Sequence, residues 1–225
     1  DFKKNYEIIF INDASTDNSL KIIEEYSIPN LKVFSLSSNS GQSAARNLGI
    51  REASGEYVFF MDVDDIIEKN TLSILFNEAI EKNYDFVCSD FKRIENLVNQ
   101  RENTYNYPEN KEFNNEEIIS AMHNELHDPT LGHLGLFGCN GRLIRRSILI
   151  QNNILFEEKL RWLEDKTFCW DVLSHVKSAK YIRQQLYSYF VYPEVHTAVI
   201  QSLLRGFTLD YIKLIVHHIR AALKR

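Results

Sequence analysis

From Tyr6 to Ser89, short runs of β-branched, aromatic and aliphatic residues alternate with longer segments whose apolar positions return every three or four residues. The runs at Tyr6–Ile11, Leu31–Leu36, Glu56–Met61 and Phe86–Ser89 predict buried strands, because strands covered on both faces read as nearly continuous apolar stretches. Between them, Ser19–Tyr26, Gly41–Ala53 and Asn70–Asn83 carry the helical repeat. Strand and helix in alternation, with short polar joins, predict βαβ units and a mostly parallel sheet with helices on both faces.

The pattern then loosens. From Phe91 to Phe113 the chain turns to Asn, Glu, Lys and Tyr without a period, which predicts a polar excursion or loop. Asn114–Asn124 predicts a short helix with Glu116 and Glu117 in its first turn, where carboxylates complement the helix dipole. In the stretch "LGHLGLFGCNG", Gly132, Gly135, Gly138 and Gly141 recur every third residue. It reads either as an irregular connection or as a loop whose bare backbone lets a ligand approach closely. Glu164–His175 predicts a helix, Lys180–Ile182 and Leu186–Tyr192 predict two strands, and Ala198–Arg225 carries one long helical pattern. No internal repeat is evident.

Composition narrows the class. The 225 residues are 44% hydrophobic, enough for one large α/β domain or two small ones, and exclude disorder. Lys and Arg number 26 against 31 Asp and Glu, for a net charge of −5, so there is no basic footprint for nucleic acid. Eight Gly and four Pro exclude a collagen-like or linker-dominated chain. Cys88, Cys139 and Cys169 share no CxxC spacing, which argues against a disulfide framework or zinc knuckle and fits a reducing compartment. With no apolar run near the roughly 18 residues of a membrane span and no signal peptide, the chain is expected to be cytoplasmic. It opens at Asp1 without Met and enters a strand almost at once, as a trimmed sequence would.

Three strand ends carry candidate chemistry. In "YVFFMDVDD" an apolar strand delivers Asp62, Asp64 and Asp65 to its C-terminal end, where crevices of open α/β sheets bind ligands. Such a cluster suits a hard divalent cation bridging protein and a diphosphate; the alternative is a solvated acidic turn ahead of the next helix. In "INDASTDNS", Ser15, Thr16 and Asp17 suit helix N-capping, whereas Asp13 is placed to accept a hydrogen bond from a nucleobase N–H. In "NSGQSAARNLG", Ser43, Ala44 and Ala45 permit tight helix packing, and Arg46 reads as a surface ion-pair residue or as a base and phosphate ligand.

Taken with "WLEDKTF", these segments resemble the ordered motifs of family 2 glycosyltransferases, inverting enzymes of the GT-A fold, over roughly Tyr6 to Tyr192. The resemblance implies an α/β fold with a Rossmann-like, nucleotide-binding mixed sheet flanked by helices. It divides the chain into a catalytic domain at 1–196 and a C-terminal amphipathic helical segment at 197–225. It also implies roles. Asp13 recognises the uracil of a UDP-sugar, and Arg46 helps hold the base. Asp62 and Asp64 form the DxD motif, with Asp64 on the Mn²⁺ or Mg²⁺ ion, Asp62 near ribose and metal, and Asp65 in support. Glu164 and Asp165 match the "ED" motif, with Asp165 as general base, and His196 falls where some relatives supply a further metal ligand. Arg142, Arg145 and Arg146 lie where the family has basic residues near the donor sugar or diphosphate. An earlier strand with a "P-x-Y-N" segment, usual in the family, is absent from this sequence.

The implied reaction is direct displacement. The metal neutralises charge on the departing diphosphate, and Asp165 takes the proton of the acceptor hydroxyl as its oxygen attacks the anomeric carbon, inverting it. Asp165 at a helix N-terminus is expected to need burial beside Trp162 to stay basic, and Trp162 itself reads as an acceptor-stacking or core residue. The acceptor is a glycan or lipid-linked hydroxyl, the product a hexosyl or N-acetylhexosaminyl linkage of bacterial polysaccharide biosynthesis. The segment from Arg205 to Arg225, with Leu204, Phe207, Tyr211, Ile215 and Ile219 near helical spacing, packs on the domain or makes peripheral contact with anionic membrane. Two rivals stand: a phosphatase of the haloacid dehalogenase class with Asp62 as nucleophile, and a non-catalytic nucleotide-sugar-binding module. The phosphatase reading leaves Asp13, Arg46 and Asp165 unexplained.

Overall fold

The computed structural model of the protein describes residues 2–94, 100–103, 109–127, 138–160 and 162–190. Their elements run β1 (Ile8–Asn12), α1 (Ser19–Glu25), β2 (Leu31–Ser35), α2 (Gln42–Glu52), β3 (Tyr57–Phe59), β4 (Ile66–Ile67), α3 (Thr71–Glu81) and β5 (Phe86–Ile94). There follow β6 (Gln100–Asn103), β7 (Lys111–Asn114), α4 (Asn115–His127), β8 (Leu143–Arg145), α5 (Arg146–Gln151), α6 (Glu164–Leu173) and β9 (Ser178–Phe190). β1 and β2 pair in parallel as a separate two-stranded sheet. The larger sheet runs β3-β8-β5-β9-β4, with β6 added to β5 and β7 to β9.

The early elements lie where the hydrophobic pattern puts them, but the sheet is mixed rather than mostly parallel. Among the described strands, β1–β2 and β5–β9 pair in parallel, and β3–β8, β5–β8, β4–β9, β5–β6 and β7–β9 are antiparallel. Two of these reversals come from β8, a three-residue strand inserted between β3 and β5 from far along the chain and too short to announce itself by alternation; the others come from β4, β6 and β7 at the sheet's margins. The polar stretch Phe91–Phe113 is not simply a loop either: β5 continues to Ile94, and β6 and β7 follow. In β7 only Phe113 is buried, so the strand's period rests on one apolar residue. The two strands expected near Lys180 and Leu186 are one, β9, which passes through exposed Arg183 and Gln184 where its register against β5 shifts. Segment 197–225 lies outside the described residues.

Alternation on the central strands builds a core on each face. Phe86, Cys88 and Ile144 join Ile50 of α2, Ile118 and Met122 of α4, Leu149 of α5 and most of α6. Val87, Leu143, Ile182 and Leu186 face the other way, onto Leu75 and Ala79 of α3. Helix α6 is buried along most of its length, at Thr167, Phe168, Cys169, Trp170, Val172 and Leu173, which is why its sequence is apolar after the first turn.

An aromatic cluster ties this core to the strand ends. Phe156 stacks on Phe168 with centroids 3.9 Å apart and planes 6° from parallel, and Phe60 meets both edge-on at 5.5 and 5.6 Å. Each such ring contributes about 1.5–3 kcal/mol by burial. Asn47, 1% exposed, clamps the same region through Nδ2 to the Phe156 carbonyl at 2.9 Å and Oδ1 from the Phe156 N–H at 2.8 Å. Phe60 lies two residues before Asp62, Phe168 four after Glu164, and Arg46 one before Asn47. Core packing thereby brings three polar motifs together.

Candidate functional site

Asp13 follows β1 and turns its carboxylate to the loop ahead of α2. Its Oδ1 accepts from the Ser40 N–H at 2.7 Å and its Oδ2 from the Gly41 N–H at 2.8 Å, while Asn39 Nδ2 donates to its carbonyl at 3.3 Å. The residue read as a nucleobase acceptor therefore also shapes this loop; a carboxylate offers about four acceptor positions. None of the expected capping residues is the N-cap of α1, which is Asn18 without a side-chain cap bond; Asp17, one residue ahead, accepts the Ser19 N–H at 2.9 Å. A cleft of about 370 Å³ opens beside the loop, lined by Ser40, Gly41, Gln42, Glu158, Leu160 and Glu164 among others.

Arg46 lies on the first turns of α2 and bridges two motifs. Its Nη2 donates to Asp62 Oδ1 at 2.9 Å, and its Nη1 lies 3.7 Å from Glu164 Oε1. The guanidinium sits over the Phe156 ring at 5.2 Å, and the side chain is 10% exposed. The usual fate of such an arginine, a solvated ion pair, does not apply. Asp62 is held by more than Arg46: Gln42 Nε2 donates to Oδ1 at 3.2 Å and Asn140 Nδ2 to Oδ2 at 2.7 Å. Burial, together with the neighbouring Asp165, holds the Glu164 carboxyl above the ordinary range; Arg46 pulls it down without overcoming them.

The remaining acidic residues part company. Asp64 is exposed and makes no hydrogen bond or ion pair among the described residues. Asp65 is 4% exposed and points away, accepting from Tyr187 Oη and from the Phe190 N–H at 3.1 Å, so it fastens the acidic loop to β9. Burial raises its pKa against the pull of those two bonds. Asp165 stands in the first turn of α6 beside Glu164, and its Oδ1 accepts from the Lys166 N–H at 2.7 Å. Trp162 is half-buried just ahead of this turn. Among the described residues no group of three or more His, Cys, Asp or Glu side chains converges as a ready-made metal cage.

Of the basic residues after Gly141, Arg142 and Arg145 bond to the fold, whereas the buried Arg146 Nε has no hydrogen-bond partner among the described residues. Arg142 is buried, donating to the Ser89 carbonyl at 3.0 Å. Arg145 donates to Asp85 at 3.1 Å and to Glu56 at 2.8 Å, and stacks over Tyr57. Burial pushes the Cys88 and Cys139 thiols up to about 12 and Cys169 well up too, in keeping with small hydrophobes. His196 and segment 205–225 lie outside the described residues, as do Gly132 and Gly135. No helix among the described residues is long and apolar enough to cross a membrane.

Sequence reasoning passed over Gln42, Asn47, Asn140 and Tyr187, all of which act through hydrogen bonds across the chain that no local spacing reveals. The Asn140–Gly141 pair did carry a signal, an Asn–Gly step closing the glycine-bearing stretch.

Comparisons with known proteins bear on the family and the fold. Residues 2–152 match the family model Glycosyl transferase family 2. A cholesterol galactosyltransferase from Borreliella burgdorferi is 31% identical over 195 residues, 83% of this chain and 52% of that protein. Poly(ribitol-phosphate) beta-N-acetylglucosaminyltransferase TarS from Staphylococcus aureus is 30% identical over 190 residues, 83% of this chain and 30% of TarS. The chain thus spans about half the length of the first relative and less of the second. Among solved structures, S. aureus TarS 1–349 in complex with UDP aligns with a TM-score of 0.67 at 27% identity, covering 86% of this chain and 53% of that one. Its complex with UDP-GlcNAc aligns at 0.71 with 23% identity, covering 94% and 57%, a likeness of fold.

Proposed function

The chain belongs to glycosyltransferase family 2 and has the GT-A fold, and from that premise we propose that it transfers a hexosyl or N-acetylhexosaminyl group from a UDP-sugar to a hydroxyl of a glycan or lipid-linked acceptor, with inversion. What carries the reading is the chain of contacts Asp62–Arg46–Glu164, which joins the strand-end Asp62 to the head of α6, with Glu164 and the Gln42 that donates to Asp62 both lining the cleft. The UDP-bound TarS structure, similar to this chain at 27% identity, supports a UDP-sugar as donor.

The donor set suits a divalent cation. Asp64 offers an exposed carboxylate with no protein partner among the described residues, and hard cations such as Mn²⁺ or Mg²⁺ take one or two such groups and complete their shell with diphosphate oxygens. Asp64, with Asp62 beside it, would hold the ion, and His196 is a further candidate ligand in the same reading. When bound, the ion supplies Lewis-acid neutralisation of the leaving diphosphate. Asp13 and the Ser40–Gly41 backbone form the nucleotide end of the cleft in this reading, and Arg46 keeps Asp62 and Glu164 from repelling each other. Asp165 receives the proton from the acceptor hydroxyl, and Glu164 shapes the acceptor side.

Cytoplasmic placement with peripheral membrane contact through 205–225 completes the proposal, since a lipid-linked acceptor would be met at that surface. The deciding experiment is a thermal-shift screen of UDP-sugars with and without Mn²⁺, followed by transfer assays with Asp165→Asn. A donor that binds only the native state raises the melting temperature. Asp165→Asn is expected to bind that donor normally and lose transfer; retained transfer overturns the base assignment. Donor binding without turnover by the whole natural protein favours a binding module. Release of phosphate from simple monoesters, abolished by Asp62→Asn, favours the phosphatase.

A further inference from the structure

Asp62, tied to the cleft through Gln42, accepts from three side chains, and these donors are not equivalent. Arg46 and Gln42 both address Oδ1; Asn140, 78 residues away in sequence, takes Oδ2 at 2.7 Å. A carboxylate only accepts here, so the Asn140 amide must turn its NH₂ toward Asp62, and the Cys139 thiol at 3.6 Å from its Oδ1 agrees with that orientation. The Asn140 backbone is fixed as well. It bridges to Phe60 in parallel, and the next residue's N–H donates to the Phe60 carbonyl at 3.0 Å. Tyr187 closes the frame: its Oη accepts the Asp62 N–H at 3.4 Å and donates to Asp65. Backbone and side chain of Asp62 are thus both set by residues distant in sequence.

The amide's lack of charge matters. A lysine at this position would orient Asp62 and also cancel its charge, competing with any cation brought to the cleft. With Arg46 already paired to Oδ1, an amide on Oδ2 fixes the carboxylate plane without adding a second positive charge. We propose that Asn140 is a positioning residue for the cation and diphosphate end of the site: by holding Oδ2 of Asp62 through one proton, it aims the remaining lone pair of that oxygen at the incoming ligand. This rests on the glycosyltransferase reading above and adds to it a residue that none of the four sequence motifs contains.

The test is calorimetric binding of UDP to the chain, with and without Mn²⁺, alongside thermal midpoints. Wild type is expected to bind UDP more tightly with Mn²⁺. Asn140→Ala should weaken the Mn²⁺-supported affinity by about tenfold, the scale of one hydrogen bond to a charged group, with little change in Mn²⁺-free affinity. The near-isosteric Asn140→Asp, which sets two carboxylates face to face, should weaken it further. It also carries the test if the alanine variant folds poorly. In an Asp62→Asn background the Asn140 changes should add nothing, because the partner they act through is gone. Wild-type behaviour in both Asn140 variants overturns the proposal and leaves the glycosyltransferase reading intact. So does an equal loss with and without Mn²⁺, or losses that simply multiply with those of Asp62→Asn. Failure of wild type to bind UDP under either condition overturns both.

Discussion

The Tyr187 ring occupies the space a side chain on Gly141 would need: a Cβ built there comes within 2.8 Å of the ring, and Gly141 sits at a φ of +68°. Backbone strain and overlap act together at this one position. Gly141→Ala is expected to cost about 2–4 kcal/mol, the sum of a left-handed residue and an overpacked contact, read as a lower urea midpoint. Because the same tyrosine meets Asp62 and Asp65, UDP binding should fall in parallel.

Arg46 joins Asp62 to Glu164, and neither a lysine nor a neutral isostere can do so. Arg46→Met should lose about 1–3 kcal/mol, between the values for exposed and fully buried pairs, since Asp62 is 28% exposed and Arg46 10%. Adding Asp62→Asn to Arg46→Met should cost less than the two single changes summed, because they share one partner. Arg46→Lys keeps the charge and loses the forked geometry, so it is expected to fold and bind UDP weakly. Urea titration and calorimetry check both.

Asp64 and Asp65 should separate function from stability. Asp64→Asn touches an exposed group without a partner among the described residues and is expected to change stability by no more than about 0.5 kcal/mol while abolishing transfer. Asp65→Asn keeps one acceptor oxygen for the two donors, the Tyr187 hydroxyl and the Phe190 N–H, so one of them faces an NH₂, and it should lose about 1–3 kcal/mol. Equal stability losses in the two variants would contradict this division.

Glu7 should dominate part of the acid limb of stability. Its burial opposes ionisation, but Lys32 at 2.7 Å and the Ser54 and Gly55 N–H groups outweigh it and hold the carboxyl down at about 2. A lowered folded-state pKa means the stabilisation is full above the unfolded value of 4.5 and is lost as pH falls through about 2. Glu7→Gln should flatten the fall in urea midpoint across that window. Glu164 and Asp65 have raised values, so their ionisation works against the fold as pH rises past the ordinary carboxylate range. Their Gln and Asn variants should show a correspondingly smaller loss as pH rises out of the ordinary carboxylate range.

Local pattern and residue chemistry made the strand–helix alternation of the first half legible, along with the helix at Glu164 and the polar clusters at Asp13, Arg46 and Asp62, while the acidic pair Glu164–Asp165 was legible only through the family resemblance. Burial on both faces writes long apolar runs, and strand ends collect polar residues where a sheet opens to solvent. The tertiary structure decided what those residues touch. Only packing across the chain inserts β8 between β3 and β5 and stacks Phe156 on Phe168 beneath Arg46. The same packing turns Asp65 to β9 while leaving Asp64 in solvent, and brings Asn140 to Asp62. Those are long-range contacts: a hydrogen bond between residues 78 positions apart leaves no period in the sequence, because the energy that fixes it belongs to the folded core and not to either segment.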